Sequence, residues 1–248
     1  MKVLVACEES QTVCKAFRDR KIEAYSADVQ ACSGGKPEWH ILGDVLPIIN
    51  GKCKFRTMDG AEHCVDGKWD LLIAHPPCTY LSAVGATSLF NGDGAVKDHE
   101  REKKGWQARH FFLQFLNADC DHIAIENPAP LKYFNLPPYS QIIEPYQYGE
   151  PWKKRTCLWL KNLPELVPTH IVKPLGCWVD EGNGGRTNRT KLRTIRGKRT
   201  GKERSKTFQG IAEAMADQWG VQLHGIVTGW AQRGEVCGQI SFFDDIYG

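Results

Sequence analysis

The sequence predicts an α/β domain built on a doubly wound, mostly parallel sheet. Short apolar runs alternate with amphipathic, helix-like segments over the first two-thirds of the chain. Two of these runs end at prolines, in His75-Pro76-Pro77-Cys78 and Glu126-Asn127-Pro128, and proline cannot continue a central strand. A length of 248 residues suits one such domain with a modest appendage.

Each element follows from its local pattern. The predicted strands cover residues 2–6, 22–27, 39–42, 69–74, 122–125 and 156–160. Ser10 is the predicted N-cap of a helix that carries Val13 and Phe17 on one face. A long helix is expected over 98–117, and a stripe of Ile211, Met215 and Trp219 predicts a helix that returns to the domain.

Two segments between these elements have patterns of their own. Asp59-Gly60 lies between two β-prone runs and predicts a hairpin insertion over about 53–66 with a two-residue turn. The stretch 79–96 is rich in Gly, Ala and Ser and lacks periodicity, which predicts a mobile loop after Cys78. We therefore divide the chain into a main domain (1–162), a small basic region (163–203), a closing helix (204–224) and a tail (225–248).

Positive charge is concentrated in one strip. Residues 184–206 carry a net charge of +9, which leaves −6 for the rest of the chain. This distribution predicts a surface for a polyanion such as nucleic acid, and the alternative is a solvated, disordered loop. The candidate nucleic-acid-binding residues are Arg186, Arg189, Lys191, Arg193, Arg196, Lys198 and Arg199.

Composition argues against membrane and secreted classes. No apolar run is long enough to span a bilayer, and no charged-then-apolar leader is visible. The ten cysteines are then expected to be reduced thiols in a cytoplasmic protein. Cys53, His63 and Cys64 lie on the hairpin, but their spacing fits no standard zinc pattern, so no metal is predicted.

Cys78 and Glu126 are the candidate catalytic pair. Each is expected at the carboxyl end of a buried strand, where open α/β sheets place their ligands. A thiol beside a carboxylate suits nucleophilic attack on an electrophilic ring. The alternative for a single cysteine is a buried, inert thiol.

The order of motifs along most of the chain resembles the DNA cytosine-5 methyltransferases, in a small, divergent, phage- or prophage-like form. The resemblance implies the Rossmann-like sheet of S-adenosylmethionine-dependent enzymes and methyl transfer to C5 of a cytosine that is flipped out of duplex DNA. It implies a covalent Cys78 adduct at C6, with Glu126 holding the opposite edge of the ring and Arg155 assisting the thiolate. It also makes the basic region a reduced target-recognition region.

The same resemblance assigns the S-adenosylmethionine site. Cys7-Glu8-Glu9-Ser10 lies where the family has a glycine-rich loop, and Gly43-Asp44-Val45 matches its adenine-recognising motif. The implied cofactor-binding residues are Ala6, Cys7, Glu8, Ser10, Asp28, Val29, Asp44, Val45 and Pro76.

The terminal segment 239–243 resembles the pentapeptide that binds bacterial sliding clamps. Gln239, Phe242 and Phe243 would be its anchors, and the alternative is a final strand or an apolar plug on the domain.

Other functions stay open at this point. A related enzyme with a different one-carbon donor, or with RNA or a free nucleotide as substrate, fits the small recognition region. The loop Cys7-Glu8-Glu9-Ser10 lacks the glycines of the family, which favours the alternative of a catalytically silent module that binds DNA and a clamp. An amino-methyltransferase is disfavoured by the His75-Pro76-Pro77-Cys78 order.

Overall fold

The computed structural model describes residues 1–178 and 206–227, and its centre is a seven-stranded sheet in the order β3-β2-β1-β6-β7-β10-β8. Strand β10 runs antiparallel to both neighbours, and all other pairs are parallel. The strands are β1 Lys2–Ala6, β2 Glu23–Asp28, β3 His40–Leu42, β4 Cys53–Arg56, β5 Glu62–Val65, β6 Leu71–Ala74, β7 Ile123–Pro128, β8 Gln141–Ile143, β9 Trp152–Lys153, β10 Thr156–Lys161 and β11 Gly176–Cys177.

All six predicted strands and the α/β class are confirmed, with boundaries shifted by at most three residues. Strand β8 was not predicted, because three residues after a proline-rich stretch give no periodic signal. Since β1, β2, β3, β6 and β7 are parallel, their carboxyl ends meet at one edge of the sheet.

Helices cover both faces of the sheet. They are α1 Thr12–Asp19, α2 Ala86–Leu89, α3 His99–Leu116, α4 Gln209–Met215, a π-helix Ala216–Val221 and α5 Gln222–Val227. The apolar residues of α1, α4 and the π-helix pack on the face formed by Val3, Val5, Leu71, Ile73 and Ala124. Phe112 and Phe115 of α3 pack on the opposite face. Alternate residues of each strand therefore point to different layers.

The start of α1 differs from the prediction. Gln11, not Ser10, is the N-cap, with a left-handed φ of 60° and no side-chain capping bond. The carboxylate of Glu8 caps the helix instead, accepting hydrogen bonds from the backbone N–H groups of Val13 (2.6 Å) and Cys14 (3.2 Å). A carboxylate at this end also opposes the positive end of the helix dipole.

The hairpin insertion is confirmed, but its turn is longer than predicted. Strands β4 and β5 pair antiparallel from Cys53·Val65 to Arg56·Glu62. The backbone N–H of Thr57 donates to Ala61, so residues 58–60 form the turn and Gly60 adopts the left-handed φ of 92°. Asp59-Gly60 therefore lies within the turn, which also includes Met58.

The segment after Cys78 is not the loop without regular structure that its composition predicts. It contains a 3₁₀ turn, Ala83–Gly85, followed by α2, and Leu81 and Leu89 are fully buried. Backbone hydrogen bonds from Ala83 to Ala129 and from Leu131 to Leu81 tie it to the chain beyond β7.

The basic strip other than Lys206 and the terminal segment 239–243 lie outside the described residues. Where the chain is described, no helix is both long and apolar enough to cross a membrane.

Candidate active site

The carboxyl ends of β6 and β7 bring Cys78 and Glu126 into one site. Ile73 and Ala74 pair with Ala124 and Ile125, so the chain leaves β6 beside Glu126. The charge of Glu126 acts on the partly buried Cys78 thiol. The prolines predicted this placement because they end the strand just before the cysteine.

His75 forms a buried ion pair with Glu126. Its Nδ1 lies 3.1 Å from Glu126 Oε2, and the side chains are only 13% and 9% exposed. The hydroxyl of Thr207 donates to the same carboxylate oxygen at 3.0 Å. These contacts hold the Glu126 carboxylate from two sides.

Partner groups decide the protonation of this pair. Burial favours the neutral form of Glu126, but the hydrogen bond and charge of His75, the charge of Lys154 and the Thr207 hydroxyl outweigh it and lower the pKa of Glu126 to about 2. Burial also opposes an imidazolium, yet Glu126, with a smaller contribution from Glu8, raises the pKa of His75. Each member of the pair therefore favours the charged form of the other.

The basic neighbour of Cys78 is Lys154, not Arg155. The charge of Lys154 acts on Cys78, Glu126 and His75, and its Nζ donates to the carbonyl of Lys206 at 3.3 Å. Arg155 is exposed, and its charge acts on the buried Cys157. The cation that acts on Cys78 among the described residues is therefore Lys154, the neighbour of the predicted Arg155.

Cys78 is a thiol in this arrangement. Burial raises the pKa of Cys78, Lys154 opposes that rise, and the charge of Glu126 adds to it. A thiolate forms more readily once the Glu126 charge is covered by a hydrogen-bond donor or a proton.

The predicted cofactor loop has a glycine-like backbone without glycine. Cys7 and Gln11 have φ values of 59° and 60°, in the left-handed region that non-glycine residues rarely adopt. Burial, followed by the charges of Asp28 and Asp44, raises the pKa of Cys7 to about 12. The loop after β1 thus lies beside Asp28, the last residue of β2, and Asp44, which follows β3.

The remaining predicted cofactor residues are placed differently. Val29 is 75% exposed next to Asp28, whereas Ala6, Val45 and Pro76 are buried. Ser10 is partly buried and its hydroxyl contacts that of Thr12.

The residues present fit a cationic nucleoside better than a nucleotide. Asp28 and Asp44 are acceptors suited to hydroxyl and amino groups. Glu8 already occupies the first amides of α1, where nucleotide-binding folds place a phosphate. Its pKa is raised to about 7, first by burial, with the charge of Glu126 adding to that rise and His75 and the two amides opposing it.

Asn127 fixes the turn that presents Cys78. It is 2% exposed, and its Nδ2 donates to the carbonyl of Pro76 at 3.1 Å. This bond joins the end of β7 to the Pro76-Pro77-Cys78 turn.

Sequence reasoning assigned no role to His75, Asn127 or Thr207. The signal for His75 was the strand period, because Leu71, Ile73 and His75 alternate onto the face that Ala124 and Glu126 share. Thr207 gave no signal, since 81 residues separate it from Glu126.

No cluster of three or more potential metal ligands occurs in residues 1–178 or 206–227. Cys53 and Cys64 on the hairpin are free thiols, and burial, followed by the charge of Cys64, raises the pKa of Cys53.

Comparison with known proteins gives a fold-level likeness. No family model and no curated protein matches the chain. A solved structure described as a DNA modification methyltransferase encoded within an Escherichia coli prophage is 11% identical, with a TM-score of 0.41, over 70% of this chain and 52% of its own. A methyltransferase of Entamoeba histolytica is 14% identical, with a TM-score of 0.37, over 69% and 57%.

This chain therefore spans little more than half the length of these two structures.

Proposed function

We propose that this protein is an S-adenosylmethionine-dependent methyltransferase that acts on C5 of cytosine in DNA through a covalent Cys78 adduct. The observation that carries the proposal is the juxtaposition of Cys78, Glu126 and Lys154, which follow β6, lie on β7 and precede β10 of the same sheet. A nucleophile, an acidic partner and a fixed cation meet there on one edge of the sheet.

The chain's residues supply the activation that cytosine needs. C5 of cytosine is a poor nucleophile, and addition of the Cys78 thiolate to C6 makes it enamine-like. Glu126 holds N3 and N4 of the ring and stabilises the charge that develops there. Lys154 favours the thiolate.

When bound, S-adenosylmethionine supplies a methyl group on a sulfonium. Asp28 and Asp44 would hold its ribose and adenine groups. The acidic surroundings of Glu8, Asp28 and Asp44 favour a cation over the pyrophosphate of a dinucleotide. A target base inside a duplex must be flipped out to reach Cys78.

The partners follow from charge and motif. The strip from Arg186 to Arg199 is proposed to bind the DNA backbone, and Gln239, Phe242 and Phe243 to bind a sliding clamp.

The test is transfer of label from methyl-tritiated S-adenosylmethionine to duplex DNA, single-stranded DNA, RNA and dCMP. We expect label in duplex DNA that falls to background in Cys78→Ser and persists in Cys64→Ser, the matched change of an exposed thiol. DNA carrying 5-fluorocytosine should trap a covalent complex with the wild type, since fluorine cannot leave C5 as a proton. Equal labelling by Cys78→Ser would rule out the covalent route, and label confined to RNA or dCMP would change the substrate.

A further inference from the structure

We propose that His75 is a positioning residue that stores the proton Glu126 passes to ring N3 of the target cytosine. This inference rests on the proposed function and deepens it. It assigns a role to a buried histidine that the covalent chemistry of Cys78 does not itself require.

The hydrogen bonds give the direction of the proton. A carboxylate only accepts, so Nδ1 of His75 is the protonated nitrogen in the 3.1 Å contact with Glu126 Oε2. Thr207 donates to the same oxygen. Within the described residues nothing donates to Oε1 of Glu126, which is the oxygen left for the base.

An imidazolium at His75 readily gives up a proton, because its second N–H has no hydrogen-bond acceptor among the described residues. Nε2 is buried and has no hydrogen-bond partner in the described part of the chain. The charged groups that face the ring are Glu126 on β7, Glu8 after β1 and Lys154 before β10. Two acids against one lysine favour the imidazolium while the site is empty of base.

The proton step balances with the covalent step. The Cys78 thiol first loses its proton to solvent. The thiolate then forms the S–C6 bond, the C5=C6 pair shifts to C4–C5, and the C4=N3 pair moves to N3. The Nδ1 proton of His75 moves to Oε2 of Glu126, and rotation of the resulting carboxyl group presents that proton to N3. The thiolate and imidazolium charges are both consumed, so the net charge of the site does not change, and Glu126 and Lys154 remain charged. After methyl transfer, the C5 proton is lost to solvent, the thiolate is eliminated, and N3 returns its proton through Glu126 to His75.

The first test compares single-turnover methyl transfer across pH for the wild type, His75→Asn and the exposed-histidine control His110→Asn. Asparagine keeps an N–H donor at the Nδ1 position but cannot carry the proton. We expect the wild-type rate to fall at alkaline pH as the imidazolium is lost. His75→Asn should be slower by about a hundredfold, with DNA affinity nearly unchanged and the alkaline fall abolished.

The second test needs no activity. Side-chain NMR of the full-length protein, with and without Glu126→Gln, gives the titration midpoint of His75. We expect a midpoint above about 6.5 in the wild type that drops in Glu126→Gln. This measurement on the unmodified protein remains decisive if His75→Asn fails to fold.

The outcomes separate the two proposals. A wild type that labels DNA while His75→Asn keeps the alkaline fall, or whose His75 is neutral at neutral pH, overturns the proton store alone. A wild type with a charged His75 that labels no cytosine substrate overturns the proposed function, and the proton store with it.

Discussion

At the scale of single residues, the site places two carboxylates in opposite environments. Glu8 follows β1 and Glu126 lies near the carboxyl end of β7, at the same edge of the sheet. The pKa of Glu8 is nevertheless raised to about 7, whereas that of Glu126 is lowered to about 2. The difference comes from partners, because Glu126 faces His75, Lys154 and Thr207 whereas burial dominates at Glu8. Such divergence suits different tasks for two like groups.

Glu8→Gln should flatten the pH dependence of stability. A carboxyl whose folded pKa lies above its unfolded 4.5 stabilises the fold fully below that value and loses this contribution as pH rises through about 7. The difference corresponds to about 3 kcal/mol, and the amide cannot ionise. Urea unfolding at pH 5 and pH 8 measures it, with the exposed Glu62→Gln as the control. Identical pH slopes for Glu8→Gln and the wild type would contradict the assignment.

The sequence identified Cys78 and Glu126 because their positions depend on local chain breaks. The sequence could not decide between Lys154 and Arg155, because the direction of a side chain before a strand depends on how that strand joins the sheet. Thr207 depends wholly on where the closing helix docks. Site residues placed by local chain breaks could thus be predicted from the sequence, whereas contacts between distant parts of the chain could not.

At the scale of elements, the pattern of apolar residues predicted the strands and the long helix but not the devices that start or join them. α3 is capped by Asp98, the first residue of the predicted helix, which accepts from the N–H of Arg101 at 2.8 Å. α1 is capped by Glu8 from outside its first turn, which no local rule foresees. α4 continues into a π-helix that keeps Trp219 buried.

Gly105→Ala should destabilise the protein although alanine is the better helix former. A Cβ on Gly105 would lie 2.0 Å from Phe134 Cζ, whereas one on Gly225 of α5 meets nothing within 4 Å. We expect a loss of about 1–3 kcal/mol for Gly105→Ala, and a gain of up to about 1 kcal/mol for Gly225→Ala. Urea unfolding measures both. Equal or opposite effects would show that α3 does not pack on Phe134 in this way.

At the scale of the whole molecule, an acidic body carries one basic strip, and the active-site edge lies where the described chain enters and leaves that strip. Lys206, the last residue of the strip, accepts from Lys154, and Thr207 contacts Glu126. The end of the strip at Lys206 is therefore adjacent to the candidate site, which the sequence did not predict.

Neutralising the strip should weaken DNA binding and flatten its salt dependence. Glutamine at Arg186, Arg189, Arg193 and Arg196 removes phosphate contacts, each worth a slope of about 0.9 in log affinity against log salt. Glutamine at the exposed Lys52 and Lys54 of the hairpin region is the control and should leave the slope unchanged. An unaltered slope after the four changes removes the strip from the interface.

The two ends of the stretch 179–205 join the described chain close together, which affects how readily this stretch can be replaced. The Trp178 N–H donates to Lys153 at 2.7 Å, Lys154 Nζ donates to Lys206, and the rings of Trp178 and Phe208 lie 4.9 Å apart. The chain therefore enters the stretch 179–205 and returns from it at points that both contact the β9 region. Because the two joining points are this close, the stretch between them can be replaced by one of another length or composition at little entropic cost. On the proposed function, we expect replacement of residues 179–205 to change the target preference without disturbing the strands that hold Cys78 and Glu126.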